Sequence, residues 1–217
     1  MKIAIIGGTG DIGEGLALRL ARKHQIIIGS REAAKASEAA EGYNRLLREH
    51  GIDASISGMS NEDAAKAGDV VILAVKYQYA VPTLDSIRDA LDGKIVVTPI
   101  VPMSKAKLCA FVPPEEGSAS MRICAVLPPG MRIVSTFHSL PAPRLADLKD
   151  PLGFDVVVCA DDEEAKRTVM GLAEDVGGIR ALDGGTLQEA KLIEALTPLL
   201  INLAIKNKTK PLSIKFV

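Results

Sequence analysis

The sequence predicts an α/β fold, a doubly wound and mostly parallel sheet with a small C-terminal α/β portion. Two observations carry that prediction. Apolar runs of strand length alternate with amphipathic segments of helix length along most of the 217 residues. The chain also opens with an apolar strand that passes through a glycine-dense turn directly into a helix. A hydrophobic content of 47% is ample for a sizeable core.

The elements follow in order. Residues 2–6 form a β-branched strand, and residues 11–23 a helix with Ile12, Leu16 and Leu20 at helical spacing. A second strand, IIIG, closes at Ser30-Arg31 and leads into a long helix over residues 33–50. A short strand at 54–57, a short helix at 61–67 and a buried strand at 69–75 come next. Residues 77–91 read as helical, with Pro82 an irregularity. A fifth strand at 94–98 is followed by a loop over 99–107 and a sixth strand at 131–137. KDPLG around Asp150 interrupts the pattern, so residues 1–150 are expected as one domain and 151–217 as a small second one. That second part holds a strand at 155–160, a helix at 162–176, a strand at 179–182, a long helix at 187–206 and a terminal strand at 212–216.

The opening turn sets the chemistry. Gly8, Gly10 and Gly13 stand in GxGxxG register. The first is expected to permit the tight turn, the second to let backbone approach a pyrophosphate, and the third to let helix and strand pack closely. The helix N-terminus adds unpaired amides and a partial positive charge, so a dinucleotide is the expected ligand in a Rossmann-type domain. Its type is read after the second strand. A carboxylate there would bind both ribose hydroxyls of NAD, whereas Ser30, Arg31 and Lys35 offer one hydroxyl and two cations, which selects NADP(H).

Composition excludes other classes. Lys+Arg 26 against Asp+Glu 27 gives a net charge of −1, and aromatic residues are 3% with no Trp, so nucleic acid is not an expected partner. No apolar stretch reaches bilayer-spanning length. Cys109, Cys124 and Cys159 lack CxxC spacing, and no leader is read ahead of the first strand. A reducing, cytoplasmic setting without a metal site is expected.

The usual proton donor of a carbonyl reductase is missing. Tyr43, Tyr77 and Tyr79 are followed four positions on by Leu47, Val81 and Thr83, not by lysine, and only His138 falls at a strand end beside the expected cleft. Two proline-rich segments of small residues, TPIVPMSKAK at 98–107 and HSLPAPR at 138–144, leave room for a flat ring against a nicotinamide. Ring-to-ring hydride transfer needs positioning and a dry cleft more than an acid–base pair. Two alternatives remain open at this point: an NADPH-dependent reductase of a small imine or carbonyl with His138 as proton donor, and a non-catalytic NADPH-binding module.

The segments IAIIGGTGDIGEGLALRLA, IIIGSRE, KIVVTPIVPMSK, ALDGGTLQEAKLIEALTPLLINL and the closing SIKFV span nearly the whole chain. In them the sequence resembles the archaeal NADPH-dependent reductases of coenzyme F420, the F420H2:NADP oxidoreductases. The resemblance implies reversible hydride transfer between NADP(H) and this 8-hydroxy-5-deazaflavin, with no catalytic side chain. It implies that Thr9, Gly10, Asp11 and Ile12 hold the pyrophosphate, that Ser30, Arg31 and Lys35 hold the 2′-phosphate, and that Tyr77, Val101, Met103 and Ala142 line the nicotinamide side. The deazaflavin would lie between that surface and the helix near Leu196 to Asn202. Lys76 departs from the family pattern, in which proline is common. By charge alone, Lys105, Lys107, Arg144, Lys206 and Lys208 are candidate partners of the anionic deazaflavin tail. The apolar C-terminal helix and the terminal strand suit a homo-oligomer, a dimer or higher.

Overall fold

The computed structural model describes residues 1–217 and has the α/β architecture that the sequence predicts. One eight-stranded sheet organises the chain. Its strands are β1 (Lys2–Ile6), β2 (Gln25–Ser30), β3 (Ile56–Ser60), β4 (Val70–Leu73), β5 (Ile95–Thr98), β8 (Arg132–Ser135), β9 (Phe154–Ala160) and β10 (Ile179–Asp183). Their spatial order is β10-β9-β8-β5-β4-β1-β2-β3, parallel throughout except where β8 meets β9 antiparallel. Strand order reverses between β1 and β4, which leaves a crevice above the carboxyl ends of those strands.

Both faces of the sheet are covered, which is why its strands are apolar at consecutive positions. Side chains alternate across a strand. Ile3, Ile5, Ile26, Ile28 and Val97 face one core with α1 (Asp11–Leu20), α2 (Ala33–Glu49) and α7 (Glu163–Asp175). Ala4, Ile6, Ile27, Val71 and Val96 face the other, with α3 (Asn61–Ala67), α4 (Ala80–Ile87) and α5 (Ala119–Val126). Residues beyond Asp150 add β9 and β10 to the same sheet, and their apolar side chains join the first core. α6 (Ala142–Ala146) ties this region to α1. There Arg19, only 3% exposed, donates to the carbonyls of Leu145, Arg144, Asp147 and Asp150.

Several elements differ from the sequence reading, each for a local reason. The third strand begins at Ile56, not at Ala54, because the Asn44 amide brackets Ile56: its Nδ2 donates to the Ile56 carbonyl and its Oδ1 accepts from the Ile56 amide, both at 2.8 Å. The segment 99–107 is not simply a loop, since Met103–Lys105 (β6) pairs antiparallel with Cys109–Phe111 (β7) as a separate hairpin. Helix α5 escaped the periodicity because it is eight residues long; its one local signal is Ser118, whose hydroxyl caps the Met121 amide. Part of the proline-rich HSLPAPR segment forms the short helix α6, with Pro143 in its first turn. Residues 212–216 make no strand. The tail instead takes the uncovered start of β9: the Asp155 amide donates to Ile214 O, and Arg180 to Phe216 O. β8 pairs only with Cys159 and Ala160 of β9, which leaves that start free.

Candidate cofactor-binding site

The opening turn is built by glycines that are required for different reasons. Gly7, outside the GxGxxG triplet, takes the left-handed backbone (φ 77), and a Cβ there would stand 2.7 Å from the Ala74 carbonyl at the end of β4. The tight turn therefore belongs to Gly7, and not to Gly8 as the motif suggests. Gly8 packs against Ile28, and a Cβ at Gly13 would stand 2.7 Å from Gly8 Cα, so that pair sets how closely α1 seats on the turn. Gly10 is different. It caps α1 with extended backbone, and a Cβ there would meet only Gly7 O, at 3.4 Å. Nothing inside the chain requires glycine at position 10, so the open space over it is available to a ligand.

The amides beside it are free as well. No side chain caps α1, and the N–H groups of Thr9, Asp11 and Ile12 donate to no backbone carbonyl. Thr9, Gly10 and Asp11 are exposed and Ile12 is half-buried. A helix N-terminus with unspent donors is an anion site of the kind that a pyrophosphate fills. Behind it the buried Tyr43 hydroxyl donates to the Gly8 carbonyl at 3.1 Å. Burial pushes the Tyr43 phenol up to about 12, with Glu14 and Asp11 adding to the shift, so it remains a donor at any ordinary pH. By sequence Tyr43 is only a tyrosine without the lysine of a catalytic pair; its place on the inner face of α2, one long helix after the turn, is the signal for this anchoring role.

At the end of β2, Ser30 is half-buried while Arg31 and Lys35 are exposed. Arg31 forms no ion pair, and its guanidinium stands 5.9 Å from the centre of the Tyr79 ring. Lys35 is paired with Glu32 at 2.6 Å, both ends exposed, and such pairs open readily. Tyr77 is half-buried in the turn that follows β4, and Lys76 beside it is exposed without an ion pair. After β5 come half-buried Val101 and exposed Met103, which opens the hairpin; Ala142 begins α6. These residues come from different strand ends along the same edge of the sheet.

The long helix α8 (Ala190–Asn207) closes the other side. Its Asn202 brackets Cys109 of the hairpin, donating to the Cys109 carbonyl at 2.7 Å and accepting from its amide at 2.8 Å. Thr197 donates to the His138 carbonyl at 2.8 Å. His138 itself is not open to the cleft: it is 5% exposed, and burial drives its pKa down to about 3, so the ring is neutral. A neutral ring is a poor general acid near neutral pH. Arg144 is also committed, gripping Asp150 through Nε at 2.6 Å and Nη2 at 2.8 Å while lying over the Phe154 ring. It is withdrawn from the candidate tail-binding cations. Lys105, Lys107, Lys206 and Lys208 are exposed and form no ion pair.

With that geometry in place, the comparisons with known proteins agree. The family described as NADP oxidoreductase, coenzyme F420-dependent, matches residues 2–102. The F420-dependent NADP reductase of Methanocaldococcus jannaschii is 47% identical over 99% of this chain and 97% of its own length. The chain belongs to the F420-dependent NADP reductase family. The enzyme of that name from Methanothermobacter thermautotrophicus is 40% identical over 99% of this chain and 94% of its own. A crystal structure from Arthrobacter sp. FB24, provisionally titled an F420-dependent NADP reductase, superposes with a TM-score of 0.83, at 26% identity over 100% of this chain and 99% of that one. Similarity to F420-dependent NADP reductases thus covers the glycine turn, the hairpin and α8 together. No helix is long and apolar enough to cross a membrane.

Proposed function

We propose that this protein transfers a hydride reversibly between NADP(H) and the deazaflavin coenzyme F420. The observation that carries this reading is the free N-terminus of α1: unspent amides at Thr9, Asp11 and Ile12 over an open Gly10, in a chain 47% identical end to end to an F420-dependent NADP reductase. In this reading, Thr9, Gly10, Asp11 and Ile12 hold the pyrophosphate, and Ser30, Arg31 and Lys35 hold the 2′-phosphate, with Lys35 exchanging Glu32 for the ligand. Tyr77, Val101, Met103 and Ala142 wall the nicotinamide. Residues 1–150 form the NADP-binding part, while 151–217 complete the deazaflavin cleft through α8 near Leu196 to Asn202. Lys105, Lys107, Lys206 and Lys208 provide free positive charge for an anionic tail.

The two coenzymes supply the hydride chemistry. The chain's contribution is to bind, orient and keep water out, and it needs no acid–base side chain. The neutral, buried His138 supports that view over a carbonyl or imine reductase that would use it as proton donor. Mixing the protein with NADPH and oxidised F420 is expected to bleach the deazaflavin chromophore. Bleaching no faster than in a protein-free control would refute the proposal.

The same reading assigns the protein to the cytoplasm, in keeping with three free cysteines. It also assigns a homo-oligomer built on α8, since Leu192, Leu199, Leu203 and Ile205 are exposed there and only Ala190, Glu194 and Pro198 are buried. Light scattering of the native protein against Leu199→Glu tests this: a native monomer would remove the assignment.

A further inference from the structure

The turn after β8 holds more buried polar chemistry than cofactor binding accounts for. Glu194 of α8 is fully buried, and its carboxylate accepts three hydrogen bonds. The Ala119 amide donates to Oε2 at 2.7 Å, and the Ser120 amide and hydroxyl donate to Oε1 at 3.0 and 2.7 Å. Two of these donors are the first amides of the eight-residue α5, so the carboxylate also meets the positive end of that helix. The chain of contacts then continues. Ser120 Oγ lies 2.7 Å from Ser135 Oγ, and Ser135 Oγ lies 3.4 Å from His138 Nε2, all in the interior.

Proton counting gives this chain a direction. Burial is the larger influence on Glu194 and raises its pKa, with the three donors offsetting part of the rise, so the relay takes a single direction on the alkaline side, where the carboxylate is ionised. An ionised carboxylate has no proton to give, so the Ser120 hydroxyl must donate to it. The Ser120 oxygen then accepts from Ser135, and the Ser135 oxygen accepts from the ring. His138 is thereby protonated on Nε2 and bare on Nδ1. Nδ1 and Thr136 Oγ1 are the two buried polar side-chain atoms of this turn without a partner. The opposing influence is the Thr98 carbonyl, which lies against the imidazole and would keep a proton on the nitrogen that faces it. The backbone here is also constrained: Phe137 is held in the left-handed region (φ 70), and Thr197, one turn along α8 from Glu194, grips the His138 carbonyl.

We propose that Glu194 is a positioning residue for the hydride-transfer cleft: through Ser120 and Ser135 it fixes His138 as the neutral Nε2–H tautomer and holds the turn that leads to Ala142. The proposal rests on the functional reading for what the cleft does, but not for the tautomer. Glu194→Gln replaces one acceptor oxygen with an amide donor. Turned toward Ser120 that donor also meets the Ser120 backbone N–H, and turned toward Ala119 it meets the Ala119 N–H, so in either orientation the acceptor that sets the relay is weakened and His138 is released from a single tautomer.

Nitrogen-15 spectra of the imidazoles in the whole chain, recorded near pH 8 without either coenzyme, read this directly. The chain has three histidines, and His138→Asn assigns the signal of interest. Wild-type His138 is expected in the Nε2–H form and Glu194→Gln as a mixture of the two tautomers, with kcat lowered on the order of tenfold at unchanged KM for NADPH, as a shifted cleft wall implies. If Glu194→Gln does not fold, Ser120→Ala decides: it leaves the carboxylate on the backbone amides of positions 119 and 120, cuts only the relay, and is expected to give mixed tautomers. Wild-type His138 protonated on Nδ1, or every folded variant retaining Nε2–H, overturns the proposal. An absence of hydride transfer in the wild type would overturn the functional reading and leave the tautomer result standing.

Discussion

Replacing Arg31 with Glu tests where the 2′-phosphate is read. In the folded chain Arg31 is exposed, forms no ion pair and donates no hydrogen bond; its one packing relation is the Tyr79 ring at 5.9 Å. Its loss therefore costs the fold little, and thermal unfolding should move within the scatter of surface changes, about 0.5 kcal/mol. Binding is another matter. A guanidinium on a phosphate makes two charge-assisted bonds, each worth roughly 1.5–3 kcal/mol net. A carboxylate placed there adds like-charge repulsion of about 1 kcal/mol at solvent-exposed distances. If half of the bonded energy persists through Ser30 and Lys35, the loss is about 2.5–4 kcal/mol, a factor of roughly 70 to 1000 in affinity. NADH lacks the 2′-phosphate and loses neither bond. Titration of both nucleotides against wild type and Arg31→Glu reads the difference. Equal weakening of NADPH and NADH would refute the placement, and it would also refute Ser30-Arg31 as the basis of the choice between them.

Three further outcomes follow from the geometry. Gly7→Ala forces a Cβ into the left-handed region and to 2.7 Å from Ala74 O, at a cost of about 2–5 kcal/mol from backbone and overpacking together. A melting temperature lower by roughly 5–15 °C is expected, and an unchanged one would show that Gly7 does not carry the turn. Asn202→Leu removes both bonds to Cys109. Amide exchange at Cys109 should accelerate and F420 binding should weaken while NADPH binding holds; parallel loss of both coenzymes would contradict a hairpin and helix that serve only the deazaflavin. Finally, burial lowers His138 from 6.5 to about 3, so the unfolded chain binds this proton first as pH falls. The contribution is whole above about 6.5 and is lost on the way down to about 3. Urea midpoints of the wild type should therefore fall more steeply between pH 7 and 4.5 than those of His138→Gln, and parallel slopes would show that the ring is not buried as described.

What the sequence made legible is what short range controls. Strand β1, the glycine turn and α1 announce themselves because hydrophobic period, turn chemistry and helix start act within fifteen residues. The same is true of α3, where Ser60 caps the Asp63 amide and the helix runs over Asn61–Ala67 as read. The start of β3 was misplaced by two residues because Asn44, twelve positions earlier, decides it. The hairpin at residues 103–111 was missed for a related reason. Its strands are three residues long and largely exposed, and much of what holds them is Asn202, some ninety residues away.

The second half of the cleft follows the same rule more strongly. Between Leu192 and Ile205, helix α8 reads in sequence as apolar with three polar interruptions, and Glu194, Thr197 and Asn202 look like faults in its hydrophobic face. In the fold those three are its working contacts, reaching α5, the His138 turn and the hairpin respectively. Each satisfies backbone groups that the local chain leaves open: the first amides of α5, the carbonyl behind a left-handed Phe137, and the edge of a two-stranded ribbon. Unpaired backbone of this kind costs on the order of 1–3 kcal/mol per buried group. An apolar residue at any of the three positions would lose that satisfaction and leave the helix free to shift against the cleft. The polar positions of α8 thus mark where the two halves of the site are fastened together, a property of the partners they meet and not of the helix that carries them.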